Sequence, residues 1–364
     1  MSKKTYKGWQ DIATKRKQIE YTVPTPLLGE DGKLLVRGGW ARHDLFVYDR
    51  TKVKPQLRGK EWDFYQVSNG KYMVQISIAN ISIGGYASTT LVDISGKQHR
   101  VVSSMAIWLG GKNKVVLPAN CEDASVVSYK KGKFELRFET RERSRTVYFK
   151  GPYKGETVET KFDADMYENH ENITTVLPFE NKPTRFFMTS KVNSMPCEGY
   201  FKCGSETIEF SKEDTFLYLD WGRVNSPYKL VWYWGNGSQR IVDENGQEHI
   251  VGFEITWGIG DESNATETCI FYDGKAHKFG SVDVEVFPKP DKYMQPWHFI
   301  SEDGRFDMTM TPVYDNHSDM NALVARMHSH QVHGLWNGTM TLDDGTKVQI
   351  KDMCAFCEYV ENRW

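Results

Sequence analysis

Short segments in which apolar and polar residues alternate recur from about residue 30 to the end of the chain. In the clearest one, residues 133–140, Phe134, Leu136 and Phe138 share one face and charged residues occupy the other. A period of two is typical of a β-strand with one buried face. Similar runs, rich in β-branched and aromatic residues, lie at 71–83, 144–149, 228–234 and 306–314. The pattern therefore predicts strands along almost the whole chain.

Turn signals separate these runs. Asn-Gly and Asp-Gly favour type I′ hairpin turns, in which both central residues need a positive φ. Helical periodicity is found only at residues 9–18 and 318–329, which are the two candidate helices. Strands spaced by 8–12 residues and joined by hairpins predict an all-β sandwich or barrel. The turn dipeptides are Asp31-Gly32, Asn69-Gly70, Asn245-Gly246, Asp273-Gly274, Asp303-Gly304 and Asp344-Gly345.

The length of the chain predicts more than one folding unit. At roughly 150 residues per domain, 364 residues correspond to about two domains. The segment LPFENKPTR at 177–185 is polar, contains two prolines and lies near the midpoint, which makes it the best candidate boundary. We therefore expect an N-terminal extension (1–29) and two antiparallel β-barrels or strongly curved sandwiches, 30–180 and 181–364, packed side by side.

Charge and composition exclude several classes of protein. Lys and Arg number 46 against 48 Asp and Glu, so the net charge of −2 gives no electrostatic drive toward nucleic acid or anionic membranes. No apolar run approaches the roughly 18 residues of a membrane span, and none follows the basic N-terminus as in a signal peptide. Six cysteines are too few for a disulfide scaffold. We expect a cytoplasmic protein with free thiols and a small-molecule partner; the oligomeric state stays open.

Aromatic content is high, with 11 Trp, 18 Tyr and 19 Phe, and residues 216–240 hold the densest group. If this segment is a strand, Asp220 lies on one face and Trp221 on the other. Burial among rings raises the pKa of a carboxyl group and suits Asp220 to act as a general acid. The alternative is a structural pair of Asp220 with Arg223. The aromatic residues expected to contact a ligand here are Tyr218, Trp221, Tyr228, Trp232 and Trp234.

A second group of candidate residues lies near residue 60. Alternation places Glu61, Asp63 and Tyr65 on one face and Trp62 and Phe64 on the opposite one. If the acidic face lines a barrel lumen, two carboxylates and a phenol can share a proton or bind a polar ligand, with Trp62 as a further contact. If that face points outward, Glu61 and Asp63 are solvated.

Histidines cluster late in the chain. His328 and His330 fall on one face of a predicted strand and His333 on the other, and no third ligand is identifiable. Without a complete ligand set we predict no metal site, and His330 is kept as a ligand-binding candidate together with Glu358 of the last strand. The sequence has no phosphate-binding loop, no complete dinucleotide motif, no HExxH and no GxSxG. We therefore predict no cofactor.

Several long segments together resemble domain-of-unknown-function family 2804, over about residues 21–364. More distantly, the chain is similar to two-barrel lipocalin-like proteins, which include carotenoid hydratases and tocopherol-cyclase-like enzymes. The resemblance implies that 30–180 and 181–364 are lipocalin-like (calycin-type) barrels. It also implies, for an enzyme, an acidic residue in an aromatic-lined cavity without a redox cofactor. The segments are GGWARHDLFVYDR (38–50), RGKEWDFY (58–65), LDWGRVNSPYKLVWYW (219–234), NATETCIFYDGKAHKF (264–279) and the terminal ENRW.

Three functions are open at this point. The first is a cofactor-independent hydratase, cyclase or isomerase that transfers protons on an apolar or amphipathic small molecule. Asp220 is then the proton donor, Arg223 holds its carboxylate or a polar group of the substrate, and Glu61, Asp63 and Tyr65 are further catalytic candidates. The second is a non-catalytic carrier of a hydrophobic molecule. The third is a carbohydrate-active enzyme with paired carboxylates.

Overall fold

The computed structural model describes residues 18–81, 83–96, 99–110, 115–284, 292–322 and 325–363. Strands dominate, and the helical elements of these ranges are two 3₁₀ turns, Arg50–Lys52 and Gln56–Arg58. The predicted all-β class is confirmed. Within the described ranges, no helix has the length and apolar character needed to cross a bilayer. The candidate helix at 9–18 lies, apart from residue 18, outside the described residues.

The first large sheet has 13 strands. Its main path runs β7-β6-β5-β4-β15-β13-β11-β10-β9-β8, with β12 and β14 paired to β13 and β2 paired to β12, while β1 and β3 form a separate parallel pair. The strands of this sheet and of the separate β1–β3 pair are β1 (Thr25–Pro26), β2 (Gly39–Ala41), β3 (Phe46–Val47), β4 (Gly59–Ser68), β5 (Tyr72–Ile81), β6 (Gly84–Asp93), β7 (Arg100–Leu109), β8 (Ser125–Lys131), β9 (Phe134–Arg141), β10 (Ser144–Tyr153), β11 (Glu156–Asp165), β12 (Ile173–Pro178), β13 (Phe186–Cys203), β14 (Glu206–Phe210) and β15 (Phe216–Asn225).

The second large sheet has nine antiparallel strands in the order β19-β18-β17-β16-β24-β23-β22-β21-β20. These strands are β16 (Lys229–Val242), β17 (Glu248–Trp257), β18 (Cys269–Tyr272), β19 (Lys275–Lys278), β20 (Val282–Val284), β21 (Trp297–Ser301), β22 (Phe306–Ala322), β23 (Ala325–Thr341) and β24 (Lys347–Arg363). Every pairing in it joins neighbours in this order, so it forms one continuous surface.

Each large sheet curves around its own hydrophobic core. The first sheet is curved strongly enough that the Ser104 hydroxyl on β7 donates to the Pro152 carbonyl on β10, 2.8 Å away. Its inner face holds core residues such as Ile76 and Phe162. The second sheet encloses a separate core that includes Phe253 and Trp336. Two strongly curved antiparallel sheets packed side by side are therefore confirmed.

The outer faces of the two sheets meet in a partly polar interface. The Gln66 amide on β4 donates to Asn236 Oδ1 on β16 at 2.9 Å, and the Gln75 amide on β5 donates to Gln331 Oε1 on β23 at 2.9 Å. Apolar rings separate these contacts, such as the edge-to-face pair of Phe64 with Trp234. Polar side chains that an isolated sheet would expose, such as Gln66 and Asn236, are therefore buried between the two sheets.

The predicted turn dipeptides lie at turns. Five of the six connect consecutive antiparallel strands, and Asp31-Gly32 lies inside the Leu28–Leu34 bridge. At Asp273-Gly274 both residues have a positive φ, 47° and 76°, as the type I′ turn requires. The hairpin positions were thus readable from the sequence, and the full type I′ signature applies to this turn.

The prediction of a helix at 318–329 is wrong. The described residues of this segment, 318–322 and 325–329, belong to the long β22–β23 hairpin, where Ser318 pairs with Ser329 and Met320 with Met327, and residues 323–324 lie outside the described ranges. Strand β23 is also hydrogen-bonded to β24 along its other edge. Pairing on both edges satisfies the backbone of β23 throughout, and this tertiary effect outweighs a weak local helical period.

The candidate boundary at 177–185 lies within the β12–β13 hairpin. Residues 186–225 then pair into the first sheet, so the change from one sheet to the other falls between Asn225 and Lys229. The domain limits 1–29, 30–180 and 181–364 stay a prediction.

Candidate functional site

On both β4 and β15, the candidate residues are divided between the two faces of the first sheet. The strands are antiparallel neighbours, and Gly222 lies opposite Trp62. Side chains directly opposite each other share a face. Trp62 and Asp220 therefore face the second sheet, whereas Asp63 and Arg223 face the core of the first. This confirms the alternation predicted from the sequence, and it separates the candidates into two groups.

The first group forms what we call the inter-sheet cluster: Lys191, Asp220, Glu254, Glu267 and Glu358. Lys191 lies opposite Asp220 on the neighbouring strand β13. Its Nζ lies 2.8 Å from Asp220 Oδ1, 3.6 Å from Glu267 Oε1 and 3.9 Å from Glu254 Oε1. One ammonium group thus serves three carboxyl groups, and a fourth, Glu358, lies close enough for its pKa to respond to the charges of Lys191 and Asp220.

Two indole rings donate to the carboxyl groups at one end of the cluster. Trp62 Nε1 donates to Asp220 Oδ2 at 3.1 Å, and Trp232 Nε1 donates to Glu358 Oε1 at 3.0 Å. The Gln331 amide also donates to Glu358, at 3.3 Å. Trp62, Trp232 and Glu358 keep partial exposure to solvent, so this is the open end of the cluster.

The other end is fully buried. Tyr218 Oη and Trp234 Nε1 both donate to Glu254 Oε2, at 2.6 and 3.2 Å, and the Thr256 hydroxyl donates to Glu254 Oε1 at 2.7 Å. Glu267 is only 1% exposed, and neither of its carboxyl oxygens has a hydrogen-bond partner among the described residues. Glu254 is thereby held in place, whereas Glu267 depends on the nearby charge of Lys191.

Burial gives three of these carboxyl groups raised pKa values. Removal from water raises the pKa of Glu254 to about 8 and that of Glu267 to about 7, although the Lys191 charge lowers both. Burial likewise raises the pKa of Glu358 to about 7, against the hydrogen bonds from Trp232 and Gln331. For Lys191, burial lowers the pKa, but the surrounding carboxylates outweigh it and raise the pKa. Near neutral pH the cluster therefore combines an ion pair with carboxyl groups that hold protons.

A surface groove of about 760 Å³ is lined by Val231, the chain neighbour of Trp232, but not by Trp62, Asp220, Trp232 or Glu358 themselves. Phe179 lines the groove and packs, like Trp62 and Trp232, against one apolar cluster between the sheets. The groove thus connects through apolar contacts to the rings that donate to Asp220 and Glu358. Its lining is Phe179, Glu180, Lys182, Pro227, Lys229, Leu230, Val231, Gly258, Gly260, Asp261, Glu262 and Ser263.

The expected contact between Arg223 and Asp220 does not form, because the two side chains leave opposite faces of β15. Arg223 Nη2 pairs instead with Asp63 Oδ1 at 2.9 Å, and its guanidinium lies 3.9 Å from the ring centroid of Trp221. The Arg223 side chain is fully buried and also donates to the carbonyl of Pro118. Lys191, rather than Arg223, is the cation that pairs with Asp220.

The other acidic candidates of β4 also lie inside the first sheet. Glu61 accepts hydrogen bonds from Tyr48 Oη at 3.0 Å and from the Arg50 guanidinium. Tyr65 Oη accepts a hydrogen bond from Arg145 at 3.2 Å. Of the two alternatives, the inward orientation of this face is the one observed, but the structure surrounds it with cationic and hydrogen-bonding partners. The catalytic roles of Glu61, Asp63 and Tyr65 stay predictions.

Two predicted ligand contacts lie away from the cluster. Tyr228 is exposed between β15 and β16, and the Arg58 guanidinium lies 5.7 Å from its ring centroid. His330 points to the inner face of the second sheet, where it stacks on Tyr293. Of the aromatic candidates, Trp62, Tyr218, Trp232 and Trp234 reach the cluster, whereas Trp221 faces the core of the first sheet.

Sequence reasoning missed Lys191, Glu254 and Glu267. A signal existed for Glu254, because it interrupts the apolar strand between Phe253 and Ile255 and shares a face with Thr256. Glu267 lies in the connection between β17 and β18, where no periodicity indicates a direction.

Comparison with solved structures finds remote likenesses. The crystal structure of kievitone hydratase from Nectria haematococca is 8% identical, covers 96% of this chain and 97% of its own, and superposes with a TM-score of 0.44. The crystal structure of CghA is 9% identical, covers 95% of this chain and 96% of its own, and also gives a TM-score of 0.44. A search of curated proteins found no match. The family model described as domain of unknown function DUF2804 matches residues 18–364, and the chain belongs to that family.

Proposed function

We propose that the chain is a cofactor-independent enzyme that transfers protons on an apolar or amphipathic small molecule, as a hydratase, cyclase or isomerase does. One observation carries the proposal. Burial raises the pKa of the partly accessible Glu358 to about 7, and the Asp220 carboxylate, which is paired with Lys191, is near enough for its charge to raise this pKa as well. A carboxyl group with a pKa near the working pH is suited to general acid catalysis, and an adjacent carboxylate supplies the base.

In a hydration, the roles divide as follows. Glu358 donates its proton to one carbon of a C=C bond, and a water oxygen bonds to the other carbon. The proton released by that water passes to Asp220, so one C–H and one C–O bond replace the π bond. A proton transfer from Asp220 back to Glu358 restores the starting state. Isomerisation uses the same pair without the water.

The remaining groups hold this pair in position. Trp62 and Trp232 each bind one of the two carboxyl groups through the indole N–H, and their ring faces can stabilise positive charge that develops on the substrate. Lys191 anchors the oxygen of Asp220 that Trp62 does not bind. Glu254 accepts hydrogen bonds from Tyr218 and Trp234 and holds these two rings in place beside the cluster, so we assign it a positioning role.

The groove supports an amphipathic substrate. It combines apolar surface from Phe179, Leu230 and Val231 with charges of both signs, among them Lys182 and Asp261. An apolar body can lie along the first set while a polar end meets the second.

All six cysteines are free, which supports a reducing compartment, and we propose a cytoplasmic location.

The test follows deuterium. The purified protein is incubated with host metabolite extract in D₂O, beside Glu358→Gln, Asp220→Asn and the control Glu206→Gln, which changes an exposed carboxylate paired with Arg100. We expect one compound to gain deuterium with the parent and the control, and at least a hundredfold less with the two site variants.

Equal labelling by Glu358→Gln would contradict the proposal. A compound that binds and is released unchanged in mass would favour the carrier function instead. Release of a sugar would favour the carbohydrate-active alternative.

A further inference from the structure

Three histidines converge on the inner face of the second sheet, away from the inter-sheet cluster. His330 and His317 are direct cross-strand partners on β23 and β22, and His328 lies two residues before His330 on the same face. One ligand atom from each ring lies within 4.8 Å of the others. No third ligand was identifiable from the sequence, because His317 reaches His328 and His330 only through the hairpin register.

We propose that His317, His328 and His330 bind one divalent transition-metal cation, with zinc as the first candidate. Neutral imidazole is a preferred ligand of zinc, copper and nickel, and three protein ligands with an open fourth position are typical of catalytic zinc sites. Zinc–nitrogen bonds of about 2.0–2.1 Å in tetrahedral geometry place nitrogens about 3.4 Å apart. Rotation of the His317 and His328 side chains toward His330 can close the gap from the separations of up to 4.8 Å in this cluster.

The surroundings of His330 fit a metal ligand. Its Nδ1 lies 2.7 Å from Asp315 Oδ2. A carboxylate that accepts from Nδ1 fixes the tautomer and leaves Nε2 with a free lone pair, which is the usual support for a zinc-bound histidine. Tyr293 stacks on the ring with centroids 3.7 Å apart and restricts its rotation.

Two polar atoms beside the cluster are unsatisfied. His328 Nδ1 and Asp315 Oδ1 are buried and have no hydrogen-bond partner within the described ranges. The carboxylate oxygen Oδ2 of Asp319 lies 3.7 Å from His328 Nδ1, beyond hydrogen-bond distance. Because a buried polar atom without a partner is costly, the unpartnered Nδ1 of His328 favours a ligand at this ring.

The site does not depend on the proposed function. His330 and Gln331 are consecutive residues of β23 and therefore face opposite sides of the second sheet. Gln331 contacts Glu358, whereas His330 faces the core that includes Val332. Metal binding at the histidines and proton transfer at the inter-sheet cluster can thus be tested separately.

The experiment titrates the whole protein, freed of metal, with Co²⁺ and records the visible absorption that imidazole-bound Co²⁺ gives. We expect one Co²⁺ per chain, released by one equivalent of Zn²⁺. His317→Ala and His328→Ala should weaken binding at least tenfold, with unchanged circular dichroism. His298→Ala is the matched control, because His298 lies on β21 beside Asp307, outside the cluster, and it should bind like the parent.

Two results would overturn the proposal. One is a parent protein that shows no Co²⁺ absorption at an excess of metal. The other is equal binding by the parent and by both cluster variants, which would place the metal elsewhere.

Discussion

Lys191→Met removes the ammonium group that offsets the buried carboxyl groups between the sheets. Lys191 lies within 4 Å of Asp220, Glu254 and Glu267, and its own side chain is 3% exposed. The variant leaves the Asp220 charge buried without its ion-pair partner. Loss of one partner from a buried pair costs about 3–5 kcal/mol, so the free energy of unfolding at pH 8 should fall by this amount.

The same variant has a predicted pH dependence. Lys191 lowers the pKa of Glu254 and Glu267, so its removal raises both values further. Carboxyl groups with raised pKa values stabilise the fold below their unfolded pKa, and this contribution is lost as the pH rises through the folded value. The difference from the parent should therefore be smaller at pH 5.5 than at pH 8, by up to about 2 kcal/mol, because at pH 8 only the part of each shift that lies below pH 8 is expressed.

Urea unfolding followed by tryptophan fluorescence measures both effects. Lys150→Met is the control, since Lys150 pairs with Glu159 at the protein surface, and it should change the transition little at either pH. A loss below about 1 kcal/mol for Lys191→Met at pH 8, or a loss independent of pH, would refute this account of the cluster.

Two further predictions concern the same region. A Cβ at Gly222 would lie 2.1 Å from the Trp62 indole. Gly222→Ala should therefore displace the ring and lower the free energy of unfolding, measured in urea, by about 1–3 kcal/mol. Gly70→Ala is the control, since its Cβ would have no atom within 4 Å, and it should lower the free energy of unfolding by less than half as much. Burial raises the pKa of Glu358 from 4.5 to about 7, so its stabilisation is present below pH 4.5 and lost as the pH rises through 7. Glu358→Gln should therefore flatten the decline of unfolding free energy over this range by up to about 3 kcal/mol, and an unchanged slope would contradict the shift.

Much of the fold was predictable because its signals are local. Alternation and Asp-Gly or Asn-Gly turns depend on a few consecutive residues, and they located strands in both sheets, such as β9 and β22, and five of the hairpin turns. Part of the β22–β23 hairpin was mistaken for a helix at 318–329 because the strand character of β23 comes from pairing with distant residues of β24. The role of Gly222 also depends on a distant residue, because it lies within β15 and makes room for the Trp62 ring of the adjacent strand.

The candidate site was predictable only in part. The period of two correctly placed Asp220 and Trp221 on different faces of the sheet, and likewise Trp62 and Asp63. It could not show that β13 pairs with β15 and brings Lys191 beside Asp220. The pairing of Arg223 with Asp63, rather than with Asp220, likewise follows from sheet register. Contacts across strands and between sheets depend on long-range packing, for which a single sequence carries no periodic signal.

The central claim is that the inter-sheet cluster holds protonated carboxyl groups beside the ion pair of Lys191 and Asp220 near neutral pH. Infrared difference spectroscopy measures this directly, because the C=O stretch of a protonated carboxyl group lies above the amide I band. We predict a band at pH 6.5 that disappears on titration to pH 9 and is reduced in Glu358→Gln. A spectrum without this band at pH 6.5, or with the same band in Glu358→Gln, would contradict the assignment of Glu358 as the proton donor.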